Sequence, residues 1–183
     1  GLLIYTMVKF NEKANPKPKN VTHNTLLEIA WTVIPTLILV IMAVPSLKLL
    51  YFSDRTQDAE MTLEVMGHQW YWSYRYPDHG GFEFESYIVD EEDLEPDQVR
   101  LLTVDNSVKI PVDTTIKVLV STDPDGVIHN WAVPAFGMKM DAVPGRLNET
   151  WMKVTKEGVY YGMCSELCGM DHGRMPIMVE VVS

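Results

Sequence analysis

The feature that most restricts how this chain can fold is an uncharged run of nineteen residues, Ile29 to Leu47. Glu28 and Lys48 flank it, and an α-helix of this length can cross the ~30 Å hydrocarbon core of a bilayer. A buried helix of a soluble protein is the alternative, but such helices average only about 11–12 residues. The run therefore predicts a transmembrane helix, which Pro35 and Pro45 would kink rather than break.

Two shorter segments precede this run. Gly1–Val8 is apolar but too short to span a bilayer alone, so we interpret it as the end of a longer helix. Lys9–Asn24 is polar, carries four lysines and contains two prolines, which predicts a connecting loop. By the positive-inside rule this loop faces the cytoplasm or the matrix, so the residues after Tyr51 are expected on the outer side of the membrane.

Beyond the membrane region the pattern changes to short runs rich in aromatic and β-branched residues. These runs are 61–76, 82–89, 117–122, 127–133, 159–163 and 175–183. Several short strands separated by turn-forming residues predict a β-sandwich or a small barrel. We therefore divide the chain into a membrane region, residues 1–52, and an outer domain, residues 53–183.

The formal net charge of −10 argues against a nucleic-acid partner, because a phosphate-binding surface needs an excess of lysine and arginine. A basic partner is the more plausible expectation. The chain has only two cysteines, Cys164 and Cys168, so no disulfide framework holds the fold together.

The strongest chemical signal is the segment Cys164–Met175 (CSELCGMDHGRM), together with His129 upstream. Its thiols, imidazoles and thioether suit copper and do not suit calcium or magnesium. Zinc is the first competitor, although structural zinc sites use further cysteines or histidines and no methionine. A mononuclear blue-copper site has one cysteine, whereas two bridging thiolates could hold two copper ions. A disulfide between the cysteines, or two unligated buried thiols, are the simpler alternatives.

Four motifs resemble subunit II of the haem–copper cytochrome c oxidases. They are Glu28–Pro35 (EIAWTVIP), Gly67–Tyr74 (GHQWYWSY), Val127–Asn148 and Tyr160–Glu180. The resemblance extends over nearly the whole chain. It implies a membrane-anchored all-β fold: a transmembrane helical hairpin, whose first helix is only partly present, followed by a cupredoxin-like β-sandwich.

The same resemblance implies a binuclear copper centre, called copper A or CuA. Its ligands would be His129, Cys164, Glu166 through its carbonyl, Cys168, His172 and Met175. The two cysteines would bridge the copper ions, and each histidine would bind one of them. The carboxylate of Glu166 would help to bind a magnesium ion shared with subunit I, since magnesium prefers oxygen ligands.

In this family reduced cytochrome c donates an electron near a tryptophan that matches Trp70. The copper pair passes the electron to a haem on subunit I, where oxygen is reduced to water with proton pumping. The simpler interpretation of Trp70 is a core residue, because alternation along the strand places half of the neighbouring aromatic side chains inside. The family also places the opening of a proton pathway at the position of Glu28. The alternative for Glu28 is a solvated carboxylate near a helix N-terminus, where the macrodipole favours it.

Acidic residues would attract the lysine-rich face of cytochrome c and raise the rate of encounter. The candidates are Glu85, Asp90, Glu91, Glu92, Asp93 and Asp105, and each of them could equally be part of a solvated loop. Arg75 and the longer turn Asp123–Gly126 depart from the family pattern. The other expected partners are subunits I and III and the lipid membrane, either a bacterial plasma membrane or the mitochondrial inner membrane.

Three other kinds of protein share parts of this pattern. Subunit II of quinol oxidases has the same fold without copper, and the two-copper domain of nitrous oxide reductase lacks the membrane helix. A membrane-anchored copper chaperone would need a site that releases its metal. The six copper-binding positions and the membrane helix favour the oxidase subunit over all three.

Overall fold

The computed structural model describes residues 1–56 and 58–183. Two helices come first, α1 at Leu2–Lys9 and α2 at Thr25–Ser53. Helix α2 has 29 residues and is therefore ~44 Å long at 1.5 Å per residue. Within the described residues it is the one helix long and apolar enough to cross a membrane. The predicted membrane helix is confirmed, and it extends beyond the uncharged run at both ends.

Reciprocal hydrogen bonds close the N-terminus of α2. The Oδ1 atom of Asn24 accepts the N–H of Leu27 at 3.1 Å, and Oε1 of Glu28 accepts the N–H of Asn24 at 3.2 Å. Such pairs satisfy backbone donors that have no partner within the helix. Glu28 therefore has a structural role at the helix start, which agrees with the simpler of its two sequence interpretations.

The outer domain is built from strands. Its described residues form β1 Met61–His68, β2 Tyr71–Tyr76, β3 Phe82–Ser86, β4 Val108–Pro111, β5 Thr115–Thr122, β6 His129–Val133, β7 Met138–Ala142, β8 Asn148–Lys153, β9 Gly158–Cys164 and β10 Pro176–Val182. One sheet has the order β3-β2-β1-β5-β8 and the other has the order β4-β10-β9-β6-β7. Neighbouring strands are antiparallel except for the parallel pairs β1 with β5 and β4 with β10.

The two sheets pack face to face because their strands alternate between buried and exposed side chains. Strand β5 alternates between half-buried and buried residues along its whole length, whereas every residue of β6 is buried. Trp72 and Tyr74 from the first sheet share one core with Trp131 and Ile177 from the second. The predicted β-sandwich is confirmed.

The sequence analysis missed three strands and took one hairpin for a single run. It missed β4, β7 and β8, which are short or carry charged residues at exposed positions. The predicted run 61–76 is a hairpin of β1 and β2, with Gln69 and Trp70 in the turn. The chain divides into the compact units Gly1–Lys48 and Leu49–Ser183. The functional boundary at residue 53 stays a prediction.

Candidate metal centre

The metal-binding candidates meet at one end of the second sheet. His129 is the first residue of β6 and Cys164 is the last residue of β9. These antiparallel neighbours pair Trp131 with Cys164, which places the two side chains at the same end. We call residues 165–175, which connect β9 to β10, the metal loop. It contains the short 3-10 helix His172–Arg174.

The two cysteines face each other inside this cluster. Their sulfur atoms are 3.9 Å apart, and both residues are buried with free thiols. A disulfide would require about 2.05 Å, so the chain does not form the disulfide considered above. A metal ion ~2.3 Å from each sulfur, the distance found for zinc, can bridge sulfurs up to ~4.6 Å apart. The separation therefore fits two thiolates that share metal ions.

Each sulfur has one imidazole nitrogen and one weaker donor beside it. Around Cys164 these are His129 Nδ1 at 3.8 Å and the carbonyl oxygen of Glu166 at 3.3 Å. Around Cys168 they are His172 Nδ1 at 3.5 Å and Met175 Sδ at 3.6 Å. A metal bound at ~2.3 Å to sulfur and ~2.0 Å to nitrogen allows a nitrogen–sulfur distance up to ~4.3 Å. All six predicted ligands thus lie together, and their soft donors fit copper.

Burial prepares His129 to act as a ligand. The pKa of His129 is lowered to about 4, mainly because burial disfavours the charged imidazole and secondly because of nearby His68. The imidazole is therefore neutral at pH 7, the form that binds metals. Its Nε2 atom is buried and has no hydrogen-bond partner among the described residues. The Nδ1 atom of His129 faces the Cys164 sulfur at 3.8 Å, so it is the ring nitrogen placed to bind a metal held by that sulfur.

The pKa of the Cys168 thiol is shifted in the opposite direction from that of His129. Burial, and then the proximity of Cys164, raise the pKa of Cys168 to about 12. Without a metal the thiol is protonated at neutral pH, so metal binding must displace its proton. A divalent or monovalent cation supplies the charge that makes two adjacent thiolates stable in a buried site.

Trp70 and its neighbour Gln69 hold the metal loop by one backbone oxygen. The carbonyl of Cys168 accepts hydrogen bonds from Gln69 Nε2 at 2.9 Å and from Trp70 Nε1 at 3.1 Å. Gly169 follows with φ at +120°, and a Cβ there would lie 2.9 Å from the Trp70 ring. Trp70 is half-buried and packs on the edge of the core, so it touches the metal loop without being enclosed. Sequence reasoning missed Gln69, because only the fold brings it to the loop.

The ring of His129 is enclosed by two residues of the GHQWYWSY motif. A Cβ at Gly67 would lie 2.9 Å from the His129 ring, and the Trp72 ring lies edge-on with its centroid 5.9 Å away. The indole N–H of Trp72 also donates to the carbonyl of Met175 at 3.2 Å. Trp72 of β2 therefore contacts two ligands, His129 on β6 and Met175 on the metal loop.

The longer turn noted in the sequence has a structural role beside this motif. Asp123 Oδ2 lies 2.8 Å from His68 Nδ1, and Ser73 Oγ lies 2.9 Å from His68 Nε2. His68 also stacks on Tyr71 with ring centroids 4.4 Å apart. The turn that departs from the family pattern thus fixes a histidine adjacent to Gly67.

The six docking candidates are not equivalent in the structure. Asp90 pairs with Arg174 at 2.5 Å, and Glu91 pairs with Arg100 at 2.7 Å. Two others accept hydrogen bonds from neighbouring groups. They are Glu85, which accepts the hydroxyl of Tyr87, and Asp105, which accepts the backbone N–H groups of Tyr87 and Asn106.

Glu92 and Asp93 remain the two candidates whose carboxylates have no partner among the described residues. Both are exposed and belong to the short 3-10 helix Glu91–Asp93. The structure thus places two unpaired carboxylates on one turn. The negative charges of Asp90 and Glu91 are instead compensated by their arginine partners. Glu166 is also exposed, so its carboxylate points away from the buried thiols while its carbonyl lies beside Cys164.

Comparison with known families accounts for almost the whole chain. A profile described as "Cytochrome C oxidase subunit II, periplasmic domain" matches residues 61–182, and its "transmembrane domain" counterpart matches residues 1–49. The chain is 54% identical over 183 residues to a probable cytochrome c oxidase subunit 2 of Rickettsia bellii and 50% identical over 187 residues to that of Cyanidium caldarium. It spans 67% and 72% of these two proteins, but only 58% of the Rickettsia felis relative, which is also 54% identical.

A solved structure supports the same assignment. The periplasmic domain of subunit II of cytochrome oxidase from Bradyrhizobium japonicum aligns with a TM-score of 0.64 and 53% identity. The alignment covers 70% of this chain and 88% of that domain. A second, at a TM-score of 0.59 and 51% identity over 70% of this chain and 86% of that one, is a mixed disulfide intermediate between a thioredoxin-like protein and a subunit II. The predicted cupredoxin-like sandwich is therefore confirmed.

Proposed function

This chain belongs to the cytochrome c oxidase subunit II family, and on that premise we propose that it accepts electrons from reduced cytochrome c at a binuclear copper A centre. Members of this family form part of an oxidase complex and have a CuA-type domain. The observation that carries the proposal is the cluster of two facing thiols, each with an imidazole and a weaker donor beside it. Oxygen reduction and proton pumping would take place on subunit I.

Different residues of this chain would have different roles at the copper centre. Cys164 and Cys168 would bridge the metal ions, and the buried, neutral imidazole of His129 would bind without losing a proton. Trp70 would face the electron donor while its indole N–H holds the metal loop. When bound, a copper pair supplies a one-electron carrier whose charge change is spread over two metals and two sulfurs. The family and the copper-binding donors favour this function over a copper-free quinol oxidase subunit.

Rapid mixing of reduced cytochrome c with the copper-loaded full chain in detergent tests the proposal. We expect oxidation of the cytochrome that is fast at low salt and slower at 1 M, because the Debye length falls from ~10 Å at 0.1 M to ~3 Å at 1 M. The same chain without copper should leave the cytochrome reduced. Fast oxidation by the metal-free chain, or none by the loaded chain, would contradict the proposal.

The same reaction examines the docking acids. Neutralising the two unpaired carboxylates, with Glu92→Gln and Asp93→Asn, should lower the rate at low salt and have little effect at high salt. Glu157→Gln is a matched control, since Glu157 precedes β9 at the end opposite Cys164, ~20 Å away along that strand. Equal effects of all three substitutions would show that net charge, and not a local docking site, sets the rate.

The carboxylate of Glu166 is the proposed contribution of this chain to a magnesium site shared with subunit I. Glu166→Ala removes the carboxylate but keeps the backbone carbonyl that lies beside Cys164. We expect the assembled oxidase with this substitution to lose bound magnesium and to retain its copper, as measured by elemental analysis. Full retention of magnesium would rule out this role for Glu166.

A role for Glu28 at the opening of a proton pathway can be separated from its role at the helix start. Glu28→Gln keeps an oxygen that can accept the Asn24 N–H but removes the acid. If Glu28 delivers protons, turnover of the assembled oxidase should fall at least about tenfold, while copper reduction by cytochrome c stays fast. Haem spectra and subunit content must be normal in the same preparation. Unchanged turnover would leave Glu28 as a helix-capping residue.

A further inference from the structure

An ion pair joins the metal loop to a distant segment of the chain. Arg174 lies between the proposed ligands His172 and Met175, and its Nη2 atom is 2.5 Å from Oδ1 of Asp90. The two residues are separated by 84 positions in the sequence. Their side chains are 50% and 58% exposed, so the pair lies at the surface.

Asp90 is held in place because neighbouring residues form backbone hydrogen bonds with the β-sandwich. Val89 donates its N–H to the carbonyl of Thr103 at 3.0 Å, and Ile88 forms a β-bridge with Val104. The N–H of Asp93 closes a turn on the carbonyl of Asp90 at 3.0 Å. A side chain that pairs with Asp90 is therefore anchored to the β-sandwich and not to a free loop.

The part of the metal loop that carries His172 has few other anchors. Cys168 is held through its carbonyl by Gln69 and Trp70, and Met175 is held through its carbonyl by Trp72. Between these points, the N–H groups of His172 and Arg174 bond only within the loop. In the described part of the chain, the Arg174–Asp90 pair is the one polar side-chain contact that ties residues 169–174 to another segment.

We propose that Asp90 and Arg174 form a clamp that keeps His172 in its metal-binding position and slows loss of metal from the site. The clamp acts through His172, so both are positioning residues and neither is a ligand. It also means that Asp90 is already neutralised by an arginine, which removes it from the acids free to attract a basic partner. The proposal rests on the proposed copper centre.

Release of copper from the loaded full chain to an excess of chelator measures the clamp. At low salt, Arg174→Gln and Asp90→Asn should each speed release about twofold to fivefold, the range expected of a half-exposed ion pair. The double variant should release no faster than either single variant, because both remove the same interaction. Asp90→Arg combined with Arg174→Asp should restore slow release, and 1 M salt should abolish the differences.

A second ion pair of similar exposure provides the control. Arg75 and Glu64 lie 3.1 Å apart on β2 and β1, and their side chains are 49% and 35% exposed. Arg75→Gln and Glu64→Gln should leave release unchanged. The midpoint of urea unfolding of the metal-free chain should fall no further for the clamp variants than for Arg75→Gln and Glu64→Gln, since a larger fall would indicate a general loss of stability.

Amide hydrogen exchange of the metal-free chain separates this proposal from the proposed copper function. Arg174→Gln should speed exchange at residues 171–175 even in a chain that binds no copper, because the clamp itself needs no metal. Unchanged exchange and unchanged copper release would overturn the clamp while leaving the copper centre intact. Additive effects in the double variant, or failure of the charge swap to restore slow release, would also overturn it.

Discussion

Replacing Cys168 by serine is expected to reduce copper binding from two ions per chain to one at most. The sulfur of Cys168 lies within 3.9 Å of Cys164 Sγ, His172 Nδ1 and Met175 Sδ, so it is central to the cluster. A hydroxyl is a harder and far less acidic donor than a thiol and does not bridge soft metal ions in this way. Elemental analysis of the purified variant after reconstitution with copper measures the loss.

A substitution two residues further on controls for damage to the loop. Met170 is 85% exposed and lies on the same metal loop, so Met170→Ser should retain two copper ions. The sandwich core is built mostly from strands, and we expect Cys168→Ser to keep its far-ultraviolet circular dichroism. Two copper ions in the folded serine variant would show that Cys168 does not bridge them.

Replacing Trp70 by alanine is expected to slow electron acceptance from cytochrome c at least about tenfold, since small errors of placement alone can cost up to 10²-fold in rate. The indole is half-buried and touches the metal loop at Gly169. Its loss should leave the copper absorbance spectrum and the affinity for cytochrome c nearly unchanged. Stopped-flow mixing gives the rate, and titration at low salt gives the affinity.

Gln69→Leu distinguishes an electron-transfer role of Trp70 from a purely structural one. It removes the other hydrogen bond to the Cys168 carbonyl but keeps the indole ring. If the rate depends on the ring, the leucine variant should transfer electrons much faster than Trp70→Ala. Equal losses in the two variants would assign Trp70 to loop positioning. A loss of affinity in proportion to the rate would instead make it a docking residue.

The metal ligands could be predicted from the sequence because they are short-range features. Five of the six lie within Cys164–Cys168 and His172–Met175, where spacing and side-chain chemistry already restrict the metal. The membrane helix was equally accessible, since an uncharged run of nineteen residues has few other structural interpretations. Both predictions depend on neighbouring residues and not on how the chain folds back on itself.

Contacts that depend on the fold could not be predicted in this way. The pairing of Asp90 with Arg174 and the two hydrogen bonds on the Cys168 carbonyl join segments far apart in the sequence. Strands such as β7 were missed because exposed charges interrupt the hydrophobic pattern at sheet positions. As a result, Asp90 and Glu92 were equal docking candidates in the sequence analysis. In the structure Asp90 is paired with Arg174, whereas the carboxylate of Glu92 has no partner among the described residues.

The central claim is that two thiolates of this chain hold two copper ions that share one unpaired electron. The most direct measurement combines the copper content of the purified wild-type chain with its electron paramagnetic resonance spectrum. We predict two copper ions per chain and a mixed-valence signal in which the electron is shared over both nuclei. One copper ion per chain, or a hyperfine pattern from a single copper nucleus, would contradict the claim.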